Sequence, residues 1–366
     1  MHRSQLRSRP ILLAALCLLT LAALLSWGCS TRPGAGLTAP DAPQPLPRTG
    51  LSVQNPAHVA MVMQLQDENT EQLMSIPGVV GTGTGASWNG APAIVVYTSK
   101  AIVGGVPTSI KGVPVDLRYV GDVRAYEDDD AVVSKGGGVA PYVGGGGTVA
   151  AAAATLQMGT STGNDKECAS GTLGCVVLKG GVKYFLSNNH VFARQNAAAK
   201  GERIDAPGRY DARPQCAQTP QIATLTDFQA ISFSSNNTID AAIAQPISGL
   251  AYTCAEAGGY TPSSTVVAPS VGLAVKKTGR TSGLTTGSIQ AINVTIRVGY
   301  TGGTATFVGQ IQTPGKFIRS GDSGSLMVTQ SGNNPVGLCF AGSSQASFSN
   351  VISNVLSRFS ATVCNQ

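Results

Sequence analysis

Ser320-Gly321-Asp322-Ser323-Gly324-Ser325 is the stretch on which the reading of this chain turns, together with two segments before it. These are Ser187-Asn188-Asn189-His190-Val191 and Asn237-Thr238-Ile239-Asp240-Ala241-Ala242-Ile243. A glycine two residues before Ser323 can take backbone angles closed to other residues and so turn its N–H inward. The N–H groups of Gly321 and Ser323 are then candidate oxyanion donors. His190 supplies a base and Asp240 a carboxylate to orient it, which completes the inventory for acyl transfer by an activated hydroxyl. The chain has 3 histidines. His2 lies in a targeting-type segment and His58 in a different region, which leaves His190 as the candidate base.

Alone, the serine turn could be an ordinary turn in a Gly-rich chain, and His190 an ordinary structural histidine. Their context favours chemistry. His190 follows an apolar strand pattern, and strand ends beside loops are where sites are assembled. Asp240 enters the apolar run Ala241-Ala242-Ile243-Ala244, where a carboxylate is costly unless partnered. Asp165, Asp205, Asp211 and Asp227 compete for its role, but all sit in polar loop contexts.

Charged residues make up 12% of the 366, and the formal charge is +6. No Lys/Arg run with interleaved aromatics points to nucleic acid. Arg3, Arg7 and Arg9 precede an apolar run from Ile11 to Trp27, followed by Gly28-Cys29-Ser30, which is the pattern of an export signal. A retained membrane anchor is the alternative reading. Cys29 resembles a bacterial lipoprotein cysteine and offers the one expected membrane link, through a lipid. Beyond Cys17 and Cys29 there are Cys168, Cys175, Cys216, Cys254, Cys339 and Cys364. An even number in one exported domain argues for disulfides. Neighbours in sequence, 168–175, 216–254 and 339–364, are the expected pairs among fifteen connectivities. No His/Cys cluster has metal-site spacing, so no metal and no cofactor is expected.

The sequence divides into a signal segment (1–29), a Pro/Gly-rich tether (30–55), a small α/β accessory or pro-domain (56–125), a Gly/Ala-rich linker (126–164) and a catalytic domain (165–366). In the accessory unit, Pro56 to Ile76 is helical by periodicity. Val79 to Trp88 and Ala93 to Thr98 form a hairpin across Asn89-Gly90, and Val113 to Tyr119 is a further strand. The catalytic domain reads as short strands with Gly-rich turns, the pattern of a barrel or sandwich. A C-terminal helix over Asn350 to Phe359 is expected to start from Ser349 or Asn350 as N-cap.

The order His, Asp, Ser is that of chymotrypsin. The chain resembles the trypsin-like serine proteases of the chymotrypsin fold, nearest the compact secreted bacterial enzymes. Gly279-Arg280-Thr281-Ser282-Gly283-Leu284-Thr285-Thr286-Gly287 is similar to the segment with which streptogrisin and α-lytic-type proteases open their second barrel. The resemblance spans 168 to 366 and implies a mainly β fold of two six-stranded antiparallel barrels with a C-terminal helix. It also implies a serine endopeptidase exported from a bacterial cell, secreted, periplasmic or lipid-anchored, acting on protein or peptide substrates. Phe340-Ala341-Gly342 would wall the substrate pocket, with a floor near Phe317. Arg280 would pair with Asp322, and the N-terminal domain would inhibit the enzyme or aid its folding. Two departures stand out: Thr286 falls where relatives have a disulfide cysteine, and Ser325-Leu326 replaces the usual Gly-Pro. Ile102-Val103-Gly104-Gly105 matches the mature N-terminus of animal trypsins, but lies far upstream of His190 and reads as coincidence. The alternatives are a non-catalytic binding protein that keeps the fold and an esterase that uses the same three residues.

Overall fold

The computed structural model describes residues 51–125 and 155–366. The signal segment with Cys29, most of the tether, and the stretch 126–154 lie outside the described residues.

The first helix, α1 (Pro56–Met74), begins with proline at its first turn, and Asn55 Oδ1 accepts the Ala57 N–H at 3.0 Å. Proline costs nothing there, because that N–H has no helical partner anyway. Val62, Leu65 and Leu73 bury one face against β1 (Val79–Ala86) and β2 (Pro92–Thr98). A short strand, β3 (Ser109–Ile110), pairs with β4 (Val113–Tyr119), which runs parallel to β2. A fifth, two-residue strand is β5 (Arg124–Ala125).

This unit was expected to stand apart; instead it is part of one continuous sheet. β1 pairs antiparallel with the strand Ala291–Tyr300 of the C-terminal half, with Gly81 opposite Ile296 and Thr84 opposite Ile292. The glycines of β1 alternate, and a Cβ at Gly81 would run into the Thr295 carbonyl. Their absent side chains let the two backbones close. On the other face of β1, buried Gln66 of α1 donates to Thr82 Oγ1 (3.2 Å) and to the Asn293 carbonyl (3.0 Å). Arg297 donates to the Val79 and Met74 carbonyls.

The C-terminal half is mainly β, with two barrel-like sheets. One has eight strands, with the C-terminal Thr362–Val363 at one edge and the hairpin Cys175–Ser187 beside it. The other holds seven strands of its own between Ala274 and Val351, and the N-terminal unit enlarges it to twelve. These two barrel-like sheets are the pair that the resemblance implies, and short strands such as Thr362–Val363 bring each count above six. The linker also ends earlier than expected. Leu156–Met158 and Ser161–Asn164 are strands of the folded domain, paired with Tyr252–Glu256 and Arg203–Asp205. Leu156 and Met158 are buried in the core with Phe185 and Ile204, and the short polar strand Ser161–Asn164 is held by backbone pairing.

The C-terminal helix runs from Ile352 to Phe359 and buries Ile352, Val355, Leu356 and Phe359. Its N-cap is Val351, which makes no side-chain cap. Ser349 and Asn350 are strand residues, and Asn350 is used elsewhere, as described below. The disulfides are Cys168–Cys216 and Cys254–Cys364, while Cys175 and Cys339 are buried thiols. Pairing sequence neighbours fails because Cys175 and Cys339 face apolar cores on strands.

Candidate active site

The strand Val182–Ser187 buries Phe185 and Leu186 and ends at Asn188, whose backbone starts the one-turn helix Asn189–Phe192. That turn carries His190 inward, 2% exposed. The neighbouring antiparallel strand begins at Ala242, which stands opposite Ser187. Asp240, just before it, therefore arrives at the same end of the same sheet as His190.

Asp240 is fully buried. Its Oδ2 lies 2.5 Å from His190 Nδ1, and its Oδ1 accepts the His190 backbone N–H at 3.2 Å. With Nδ1–H turned to the carboxylate, Nε2 is the nitrogen left to act as a base. Two residues that the sequence reading missed complete the surroundings of Asp240. Tyr300 donates its hydroxyl to Oδ2 at 2.8 Å. Asn350 Oδ1 accepts the Asp240 N–H at 3.0 Å and holds Gln310 with its other end. The Asn188 side chain donates to the Asp240 carbonyl. Nothing local marks Tyr300, since it acts across 60 residues of chain.

The turn around Ser323 comes from the other sheet. Gly321 and Gly324 have φ of +87° and +96°, the left-handed region that glycine enters at no steric cost. A Cβ at Gly324 would meet the Ser187 hydroxyl, so the turn packs onto the strand that leads to His190. The Thr172 N–H donates to the Ser323 carbonyl at 2.7 Å. Ser323 Oγ lies 3.3 Å from the Phe340 carbonyl. The structure thus brings His190, Asp240, Gly321 and Ser323 to the seam between the sheets.

The ion pair expected between Arg280 and Asp322 is replaced by another. Lys277, fully buried, reaches Asp322 Oδ2 at 2.8 Å. The Thr281, Ser282 and Arg319 N–H groups and the Ser282 hydroxyl also donate to that carboxylate. Arg280 turns instead to Asp211, on a loop of the first sheet. A Cβ at Gly279 would meet the Asp322 carboxylate, so Asp322 sits against backbone. Lys276 takes the outward face and Lys277 the inward one, beside buried Val275. Strict alternation in Ala274-Val275-Lys276-Lys277 would have put Lys277 on the inward face and flagged it.

Phe340, Ala341 and Gly342 lie on the strand next to Ser323, and Phe340 packs on Phe307 with ring centroids 4.8 Å apart. Phe317 is buried in the core with Val275, Met327 and Val336. β5 pairs antiparallel with the Phe340 strand, with Ala125 opposite Ala341 and Arg124 opposite Gly342. Ile102 of the trypsin-like tetrapeptide is exposed, and Val103 packs within the N-terminal unit.

No protein-family model matches this chain, and no curated protein matches it. Solved structures do. Thermobifida fusca protease A matches with a TM-score of 0.43 and 20% identity, over 58% of this chain and 100% of that one. A glutamic-acid-specific serine protease that uses a histidine triad in substrate binding matches at 0.43 and 21%, over 57% and 100%. Cellulomonas bogoriensis chymotrypsin matches at 0.40 and 18%, over 58% and 100%. These are bacterial serine proteases of the chymotrypsin fold, and the likeness is one of fold.

Proposed function

We propose that this chain is an exported serine endopeptidase. The observation that carries the reading is the buried His190 Nδ1–Asp240 Oδ2 contact of 2.5 Å, set at the seam where the Ser323 turn meets the His190 strand. Ser323 Oγ attacks the scissile carbonyl carbon and His190 Nε2 takes its proton. The C–N bond breaks, and the same proton passes to the leaving amine. Water, activated by His190, then cleaves the acyl-serine ester and restores the enzyme. Asp240 holds the imidazole and balances its charge when protonated, and the Gly321 and Ser323 N–H groups receive the oxyanion. Lys277 acts through Asp322, holding the turn that aims those donors.

A peptide rather than a simple ester is the favoured substrate, because the strand beside Ser323 already takes up an extended segment, β5, by backbone pairing. The same contact supports an inhibitory or folding role for residues 56–125. Two disulfides agree with an oxidising, extracytoplasmic address. A serine-directed phosphonate probe tests the reading: it should label Ser323 in the wild-type protein and nothing in Ser323→Ala. Folded, processed protein that hydrolyses no peptide and takes no label would make the chain a binding module.

A further inference from the structure

The carbonyls of Ser320, Gly321, Asp322 and Ser323 follow one another in the turn, and each accepts a hydrogen bond. The Thr281 hydroxyl donates to the Ser320 carbonyl at 2.6 Å. The Thr172 hydroxyl donates to the Gly321 carbonyl at 2.8 Å. The Ser325 hydroxyl donates to the Asp322 carbonyl at 2.6 Å, beside the Ser325 N–H at 3.0 Å. The Thr172 N–H holds the Ser323 carbonyl. The donors therefore alternate. Thr172, from the first sheet, holds the second and fourth carbonyls, and the hydroxyls of Thr281 and Ser325 hold the first and third.

The alternation matters because of the other end of each peptide group. In a trans peptide the C=O and the N–H lie in one plane and point in opposite directions. The peptide with the Ser320 carbonyl carries the Gly321 N–H, and the peptide with the Asp322 carbonyl carries the Ser323 N–H. A hydrogen bond at the carbonyl end fixes where the N–H points, and it polarises the group so that the N–H donates more strongly. Glycine lets the peptides beside it rotate easily, so the anchor at Gly321 has to come from outside the turn. It does: a Cβ at Gly321 would stand on Arg280 Nη1 and Thr281 Oγ1. Arg280 Nη1 donates to Thr281 Oγ1 at 3.0 Å, and Asp211 grips the rest of the guanidinium. A cation thus heads the series hydroxyl, carbonyl, N–H. Ser325, where the resembling enzymes have glycine, is fully buried against the same turn.

We propose that Thr281 and Ser325 are positioning residues of the oxyanion site. Their hydroxyls hold the carbonyl ends of the two peptide groups whose N–H ends receive the oxyanion. Arg280, displaced from Asp322 by Lys277, acts on the same site through Thr281. None of the three touches the substrate; they aim and polarise the groups that do.

The proposal rests on the endopeptidase reading, and one set of measurements separates their failures. The full chain is assayed on a mixed library of peptide anilides, with Ser323→Ala as the control. The best-cleaved sequence is then made as a trifluoromethyl ketone. Ser323 Oγ adds to the ketone carbon, its proton passes to His190, and the carbonyl oxygen becomes the oxyanion of a hemiketal. Thr281→Val should lower kcat by ~10-fold or more, short of the 10²–10³-fold that loss of a whole donor costs. The Ki of the ketone should rise by the same factor while KM moves little, and Thr281→Ser should recover both. Ser325→Ala should act in the same direction by a smaller factor, because the Ser325 N–H keeps its hold on Asp322; it carries the test if Thr281→Val does not fold. An unchanged ketone Ki in a folded variant overturns the proposal, as does a loss at Thr281→Val that Thr281→Ser fails to recover. Either result leaves the endopeptidase reading standing if the wild-type protein shows Ser323-dependent hydrolysis. No such hydrolysis of any library peptide overturns both.

Discussion

Of the fully buried carboxyls, Asp240, Asp322 and Glu256 are treated in three ways. Asp240, from the first sheet, faces an imidazole, a phenol and backbone, so its neutralising partner is one that gains and loses a proton. Asp322, from the second, faces the Lys277 ammonium plus three N–H groups. Glu256, on the segment between the sheets, has no hydrogen-bonding group at either carboxyl oxygen among the described residues. Burial pushes its carboxyl well above the usual carboxylate range. Burial is common to all three. The partner decides whether a carboxyl serves as a reversible electrostatic element, a fixed brace or an uncharged filler.

Breaking the reversible pair should have the largest effect. Asp240→Asn keeps the shape but offers the imidazole the wrong tautomer, and kcat should fall by about 10⁴-fold with stability little changed. A drop below tenfold in a steady-state assay would remove Asp240 from the mechanism.

Breaking the fixed brace comes next. Lys277→Met leaves the Asp322 charge buried without its cation and should destabilise the protein by about 3–5 kcal/mol in denaturant unfolding. Lys277→Met with Asp322→Leu should regain much of that stability and none of the activity. Recovery of both would show that the pair holds only the fold.

Tyr300→Phe sharpens the comparison at smaller cost. Losing one neutral hydrogen bond to a charged group is worth about 1.5–3 kcal/mol. With one donor fewer, Asp240 stabilises the imidazolium more, so the acidic limb of kcat/KM against pH should move to higher pH. A fall in rate with an unmoved limb would assign Tyr300 a packing role alone.

The smallest effect is expected at Glu256. Its raised folded pKa means that the unfolded chain releases this proton first. The stability it contributes is thus complete below pH ~4.3 and declines as pH rises toward the folded value. Glu256→Gln cannot titrate, so its melting temperature relative to wild type should rise from pH 4 to pH 8. A constant difference would mean that the carboxyl has a partner that holds its charge. Thiol titration gives a companion check. Burial pushes Cys339 up to about 12 and Cys175 well above the usual thiol range. Within residues 155–366, two thiols should therefore react after denaturation and none before.

The sequence by itself determined the class of the fold and the candidate residues of the site. His190, Asp240 and Ser323 were legible because each is announced locally. An apolar strand ends at His190, a carboxylate opens an apolar run at Asp240, and glycines flank the Asp322-Ser323 pair. The helix α1 and the strands β1, β2 and β4 were legible for the same reason, since periodicity is a property of neighbours in the chain. Everything that depended on distant segments meeting was left to the tertiary structure. Alternation turns Lys277 inward with Val275, but that Asp322 lies against it while Asp211 takes Arg280 is set by the tertiary structure. Tyr300 and Asn350 reach Asp240 from strands whose sequences give no sign of it. The cysteines pair 168–216 and 254–364, because spatial proximity and not order governs a bond between side chains. The N-terminal unit joins the second sheet through β1, whose backbone groups carry no side-chain signature. Local pattern reports which face of an element is buried. It does not report what the element is buried against, and in this protein the partners of His190, Asp240 and Asp322 are set there.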